Sequence, residues 1–494
     1  MLARADCRIG CVQARHPTRF PTIADGNLAE LPECRGDSRH SRGIGLEYGF
    51  TRPPAFLSSL DALLMIRALF VFSLLSGSFV LADIPWPGKT GPTGDGNVAR
   101  ADQDLPLEWD EASGKNISWK IALDGVGHCT PVIGDGRLWF TSATKDGSRQ
   151  YIYCVDAKSG EVLHHKLLFE NPDPEPLGNP INNYAAPTCA LESDAVYVHF
   201  GTYGTARLDP KSAEVVWKRR DINARHFRGP GSSPVVYDDR LILTFDGIDK
   251  QFVTALNKAT GETVWTTDRS TDYKDLGADG KPKRDGDMRK AYGTPVVVQV
   301  GDRAQVVSVG SMAAFGYDLR SGKEIWTITH DDMNASAQPI AYRDTVIMNT
   351  GGRGSNLLGL RLASDTVGNV EDSHIVWDRA KGNSRMSFPV LATPDRLMFV
   401  SDTGVVTCVA ADSGEQIFTG RIGGNHIASP IVAKGRVYFF TIEGDAMIVD
   451  ASADRLVVLA ENKLDEGMRA SPAAAGGALY LRTHGHLYKI QSNN

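Results

Sequence analysis

Between residues 116 and 491 the apolar positions come in short runs that are β-branched or aromatic and often alternate: RLWFTSA, AVYVHF, RLILTF, QVVSVG, RLMFVS, RVYFFT and ALYLRT. Runs of this length, bounded by Gly, Asp and Pro, predict strands. No sustained 3.6-residue apolar period appears, so helix should be scarce. The runs also sit in a fixed order that repeats at roughly 40 to 50 residues: a proline, an apolar doublet, a turn, an apolar strand, then an Asp/Asn-x-x-Ser/Thr-Gly turn and an aromatic. The copy from Ser233 to Trp265 has every part, SPVV, DDRLILTF and TALNKATGETVW.

Eight copies are present. Aligned on the closing aromatic they give Trp119, Trp217, Trp265, Trp326 and Trp377, with His164, Phe418 and Val458 in the same slot elsewhere. The opening prolines, Pro131, Pro187, Pro234, Pro295, Pro339, Pro389, Pro430 and Pro472, interleave with that series. A four-stranded blade takes about 40 to 45 residues, and residues 116–491 have room for eight. The pattern therefore predicts an all-β, eight-bladed β-propeller of four-stranded antiparallel blades, in which radial repetition keeps strand edges short and protected. The chain enters this pattern out of phase, because NISWKIAL supplies a Trp-bearing closing strand first while the final copy ends without one. The first strand should complete the last blade. In the recurring turn, as at Asp156 with Gly160, Asn257 with Gly261 and Asp318 with Gly322, the acidic or amide side chain accepts backbone N–H groups. The Trp that follows is suited to packing between blades while its N–H meets a turn carbonyl.

Ahead of the repeats, Met65 opens MIRALFVFSLLSGSFVLA, in which Arg67 is the positive flank, 68–80 the apolar stretch and Val80-Leu81-Ala82 a small-residue cleavage pattern. About 13 apolar residues are too few to span a bilayer, which takes about 20. The expected organisation is an upstream extension over 1–64 that is non-native or disordered, a secretory signal over 65–82 cleaved after Ala82, an extended segment over 83–115 and the propeller over 116–491. This places the protein in the periplasm or outside the cell, with no membrane span after cleavage. Without residues 1–82 the 53 basic residues fall to 44 and the 59 acidic ones to 52, a balance of −8 that recommends neither nucleic acid nor an anionic membrane. Four cysteines remain, Cys129, Cys154, Cys189 and Cys408. Cys154 and Cys408 read as buried small hydrophobes; Cys129 and Cys189, on successive copies, could approach and join in an exported protein.

In a propeller the segments just before the innermost strands converge on the mouth of the axial channel. Here they offer His128, Asn183, Tyr184, Arg228, Tyr292, Asn334, Arg385, Asn425, His426 and Arg469, a list without carboxylates. Three Arg and two His around a narrow mouth would favour a carboxylate- or phosphate-bearing ligand; alternatively they satisfy loop carbonyls and plug the channel. The insertion TDYKDLGADGKPKRDGDMRK lacks calcium-loop spacing, and its alternating charges read as a solvated loop. His484 and His486 read as surface, and nucleophile-elbow, zinc-helix and P-loop motifs are absent.

TGETVW, SGKEIW and SAEVVW, each after a strand ending in Leu-Asp or Leu-Asn or its equivalent, resemble the pyrroloquinoline-quinone (PQQ) repeat, and the resemblance covers nearly the whole region after the leader. WPGKTGPTGDG, LPLEW and GHCTPVIGDGRLWF are similar to exported PQQ-like propellers of planctomycete-type bacteria, and the repeat also resembles that of the outer-membrane assembly lipoprotein BamB. Such a resemblance implies the fold firmly and the function poorly, since the recurring parts are turns and inter-blade aromatics. Its enzymes hold PQQ with a metal ion near the ring axis, several with a vicinal Cys-Cys pair; this chain has neither that pair nor a C-x-x-C-H haem site. The expectation is a non-catalytic binding or assembly scaffold with envelope proteins as partners, a small anion as ligand and no cofactor. The alternatives are a PQQ- and Ca²⁺-dependent alcohol or sugar dehydrogenase and a small-anion or carbohydrate sensor.

Overall fold

The computed structural model describes residues 85–98, 104–352 and 356–492. The leader and upstream extension expected over 1–82 lie outside the described residues. From Ile117 to Gln491 the chain forms eight sheets, each with four antiparallel strands in sequence order from the hub outward. Blade 1 runs from Val132 to Glu170, blade 2 from Ala190 to Arg219, blade 3 from Val235 to Asp268 and blade 4 from Val296 to Thr329. Blade 5 spans Ile340 to Arg379, blade 6 Val390 to Arg421, blade 7 Ile431 to Lys463, and blade 8 Ala473 to Gln491. Blade 8 is completed by Ile117–Ala122, which pairs antiparallel with His486–Gln491 as Ala122 opposite His486 and Lys120 opposite Tyr488. The ring thus closes with the first strand, as the phase of the repeat requires.

The seven apolar runs named above are the second strands of seven blades, buried along nearly their whole length. Among the described residues the only α-helix is the single turn Glu371–His374. The recurring turn works as its chemistry predicts. Asp156 Oδ1 accepts the N–H of Lys158 and Ser159, and Asp209 and Asn257 repeat the pattern. A tryptophan from one blade then lies on the turn glycine of the next. Trp119 faces Gly160, Trp217 Gly261, Trp265 Gly322 and Trp377 Gly414, each so close that a Cβ on the glycine would come within 3 Å of the indole. Trp217 and Trp265 donate their ring N–H to carbonyls of that turn, Lys258 O at 3.0 Å and Leu319 O at 2.9 Å.

Trp326 differs. The third-to-fourth connection of blade 5 carries no such glycine turn; Gly368–Asn369 instead pairs in parallel with the outer strand of blade 4, making it five-stranded. Trp326, fully buried, turns its N–H to Gln305 of its own blade at 2.9 Å. One marker also shifts. Pro187 stands two residues early, because the slot of Pro131 is taken in blade 2 by Cys189, directly before Ala190–Glu192.

The segment 85–98 crosses the hub as a strap. Trp86 exchanges backbone hydrogen bonds with Ile133 of blade 1, Pro87 O accepts Leu191 N of blade 2, Asp95 O accepts Leu391 N of blade 6, and Gly96 and Val98 bond Val432 of blade 7. Blades 2 and 6 oppose each other in a ring of eight, so the strap spans the channel. It pairs with the second residue of each of these first strands, and Gly96 lies against Val390 and Pro430. Residues 104–115 then run along blades 7 and 8, with Trp109 N donating to Asn462 Oδ1 and Glu111 receiving Lys120 and the Tyr488 hydroxyl.

Candidate functional site at the axial mouth

The loops ahead of the first strands converge, together with the strap, on a cavity of about 690 Å³. His128, Arg228, Tyr292, Asn334, Arg385 and Arg469 line it as the repeat predicts. The other four candidates do not. Asn183 is buried and its Oδ1 caps Ala185 N at 2.8 Å, while Tyr184 packs edge-on to Tyr203 and donates to Glu175 O at 2.9 Å; the adjacent Asn182 lines the cavity in their stead. Asn425 is tied to Glu443, and His426, fully buried, meets Gly423 O at 2.8 Å, so Ile427 reaches the wall. Blade 2's proline is two residues early, so the position equivalent to His128 is Ala186, which lines the cavity, and in the 423–427 loop the lining residue moves on to Ile427.

The cavity also holds what the loop reading missed. Asp287, Asp331 and Asp332 line it, so the expectation of a mouth without carboxylates is corrected. The insertion before Pro295 is solvated over much of its length, as expected, but it is pinned at Asp275 and Lys290. Asp275 is buried and accepts both arms of Arg289 at 2.6 and 2.9 Å, and Arg289 stacks over Tyr273. That pinning brings Lys290 and Asp287 together at the wall, with Arg228 4.0 Å from the same carboxylate. Across the ring Arg385 is paired with Asp402 at 2.7 Å. Arg385 is therefore already neutralised, Arg228 shares Asp287 with the closer Lys290, and Arg469 makes a long contact to Ile181 O at 3.4 Å.

The strap adds Lys89, which enters the cavity from below, opposite the loop side. Burial pulls its ammonium down to about 8, with no neighbouring charge of either sign contributing, and it has no hydrogen-bond or ion-pair partner among the described residues. His128 is driven to about 3, first by burial and then by the cations of Arg469 and Arg482, so it is a neutral imidazole at physiological pH. Between floor and rim runs a belt of hydroxyls in the slot ahead of the prolines. Thr130 N donates to Thr188 Oγ1, Thr188 N to Ser233 Oγ, Ser233 N to Thr294 Oγ1, Phe388 N to Ser429 Oγ and Ser429 N to Ser471 Oγ, all at 2.9–3.1 Å. The belt stitches blade to blade and lapses between Thr294 and Phe388, where Gln338 holds the slot.

Outside the cavity, Cys129 and Cys189 are both free and buried. The Cys129 thiol is held by Arg482 Nη1 at 2.7 Å and Thr141 N at 3.2 Å. His484 is exposed, whereas His486 is half-buried against Glu466 at 2.8 Å.

Residues 82–241, 206–393 and 363–494 match the model of the PQQ-repeat family described as "Outer membrane protein assembly factor BamB". The chain belongs to this family. No curated protein matches the sequence significantly. Among solved structures, BamB from Moraxella catarrhalis is 11% identical over 76% of this chain and 99% of its own, with a TM-score of 0.51. A europium-containing methanol dehydrogenase is 12% identical over 79% and 98%, at 0.57. Quinohemoprotein alcohol dehydrogenase from Comamonas testosteroni is 12% identical over 86% and 82%, at 0.55. At these identities the likeness is one of fold, and it carries nothing about lineage. For the family's quinone and metal, the cavity offers cations for carboxylates, but Tyr292 is its one phenyl ring, and among the described residues no three His, Cys, Asp or Glu side chains are grouped to hold a metal. The residues fit the metal half of that pair poorly.

Proposed function

We propose that this family member is an exported, non-catalytic binding propeller of the cell envelope, and that its axial mouth takes a small carboxylate- or phosphate-bearing molecule. The observation that carries this reading is Lys89, a half-buried cation that reaches the cavity from the strap and has no counter-charge beside it. An ion that has lost part of its water without gaining a counter-charge is less stable than a solvated one, and an anionic ligand offsets that loss. Calorimetric titration of the exported protein with a panel of carboxylates and phosphates tests the reading: micromolar to millimolar binding of at least one supports it, and none binding removes it. Export itself is read by N-terminal sequencing, with a mature end at Asp83 expected and recovery of peptides from residues 1–64 contradicting it.

An assembly role with envelope proteins is the companion proposal, favoured by the family's description and by the BamB likeness. Cross-linking in cells followed by identification of envelope proteins tests it. The dehydrogenase reading rests on the names of two structural neighbours; adding PQQ and Ca²⁺ and looking for a bound quinone spectrum with dye reduction by alcohols or sugars decides it.

A further inference from the structure

Four of the hydroxyls in the belt, those of Thr130, Thr188, Ser429 and Ser471, line the cavity and are at least nine-tenths buried. Thr188 Oγ1, Ser429 Oγ and Ser471 Oγ each accept a backbone N–H from the preceding blade. A hydroxyl has one proton to give as well as lone pairs to accept with, and none of the four has an acceptor for that proton among the described residues. Buried donors are ordinarily satisfied. Here they come from blades 1, 2, 7 and 8, the half of the hub in which the strap's Trp86, Pro87, Gly96 and Val98 are anchored to blades 1, 2 and 7. The strap's ammonium, Lys89, stands in the same cavity and is likewise unspent.

We infer that the deep end of the mouth is an oxyanion seat, in which one carboxylate or phosphate head is held by Lys89 Nζ and by the hydroxyl protons of Thr130, Thr188, Ser429 and Ser471. This rests on the anion-binding reading above and places the charged head at the floor, with the arginines of the rim acting on whatever body the ligand extends upward. Three of the hydroxyls, those of Thr188, Ser429 and Ser471, are fixed to the ring by the hydrogen bonds they accept, so that part of the seat is built before the ligand arrives. The rim differs. Arg385 must give up Asp402 to serve an anion, and Arg228 stands beside a carboxylate that Lys290 already holds.

The test uses succinate and inorganic phosphate as separate probes, which also distinguishes the two head groups. Lys89→Met should weaken the tighter of the two at least tenfold, and Lys89→Arg should restore most of that loss. For the unaltered protein, succinate keeps its charge above neutrality, so its affinity should fall between pH 7 and pH 9.5 as Lys89 loses its proton; Lys290, also pulled down by burial, lines the same cavity, so the fall is assigned to Lys89 by its loss in Lys89→Arg, which does not titrate there. Binding that survives Lys89→Met, is lost in Arg469→Ala and is flat with pH would overturn the floor seat while leaving the anion-binding reading intact. Failure of both probes to bind the unaltered protein overturns both.

Discussion

The seam between blades 3 and 4 and the seam between blades 4 and 5 arise from the same repeat and are held in different ways. At the first, Trp265 lies on Gly322 and donates to Leu319 O, while Arg269 crosses from the end of blade 3 to Ser308 of blade 4 at 2.9 Å. Arg269 is paired there with Asp246, both fully buried, and its guanidinium lies over Phe315. At the second seam the receiving turn has lost its glycine, and an inserted parallel pair at Gly368–Asn369 covers Trp326 from outside. A repeat thus fixes a seam only where both halves of its contact survive. Where one half is gone, inserted chain takes over. The mouth obeys the same division: the belt is made by the repeat, and the cup around it by departures from the repeat, namely the strap, the 179–182 loop and the insertion before Pro295.

The largest effect should come from cutting the first seam at its charge pair. Asp246→Leu leaves Arg269 buried and unpaired and should cost about 3–5 kcal/mol, with Asp246→Leu/Arg269→Met recovering most of it, read by denaturant unfolding. A smaller effect comes from the glycines. Gly322→Ala combines positive φ with an indole 2.5 Å from the new Cβ and should cost about 3 kcal/mol. Gly368→Ala, on the inserted pair, has the same sign of φ but open space around it and should cost only about 1 kcal/mol. Equal losses at the two glycines would mean the seams are not held differently. Ser429→Ala strips the partner from the buried Phe388 N–H and should cost about 1–2 kcal/mol, whereas substitution at Gln338, where the belt is already interrupted, should cost less.

The smallest effect is a pH dependence. A lysine whose folded pKa is lowered holds fewer protons when folded than when unfolded, so the ligand-free protein should gain stability as pH rises from about 8 towards the ordinary lysine value. The difference between the unaltered protein and Lys89→Met in thermal unfolding midpoint should narrow over that window. A difference independent of pH would mean that Lys89 is solvated rather than held in the cup.

Blade number, strand identity and ring closure were legible because each is stated eight times and an error in one copy is outvoted. Trp119 and NISWKIAL announced the closing strand by phase alone. Residues stated once were harder. Lys89 lies in WPGKTGPTGDG, a stretch without apolar period that is ordered by the buried Trp86 and by backbone pairing to four distant first strands. Asp287 and Lys290 sit in an insertion whose charges alternate like a solvated loop, and only the Asp275–Arg289 pair, fourteen residues apart, folds it onto the wall. Asn183 and Tyr184 were misplaced because blade 2's proline is two residues early; counted from Cys189, the position of His128 falls on Ala186, which does line the cavity. The belt was written in the sequence as Thr-Pro and Ser-Pro, and its signal, a hydroxyl ahead of five of the eight prolines, could have been found there.

The central claim is that an oxyanion sits at the floor of the mouth. Anomalous diffraction at the selenium edge from crystals soaked in selenate tests it most directly. The account predicts a peak within hydrogen-bonding distance of Lys89 Nζ and the hydroxyls of Thr130, Thr188, Ser429 and Ser471. A peak confined to the rim beside Arg385 or Arg469, or none in the cavity, would contradict it.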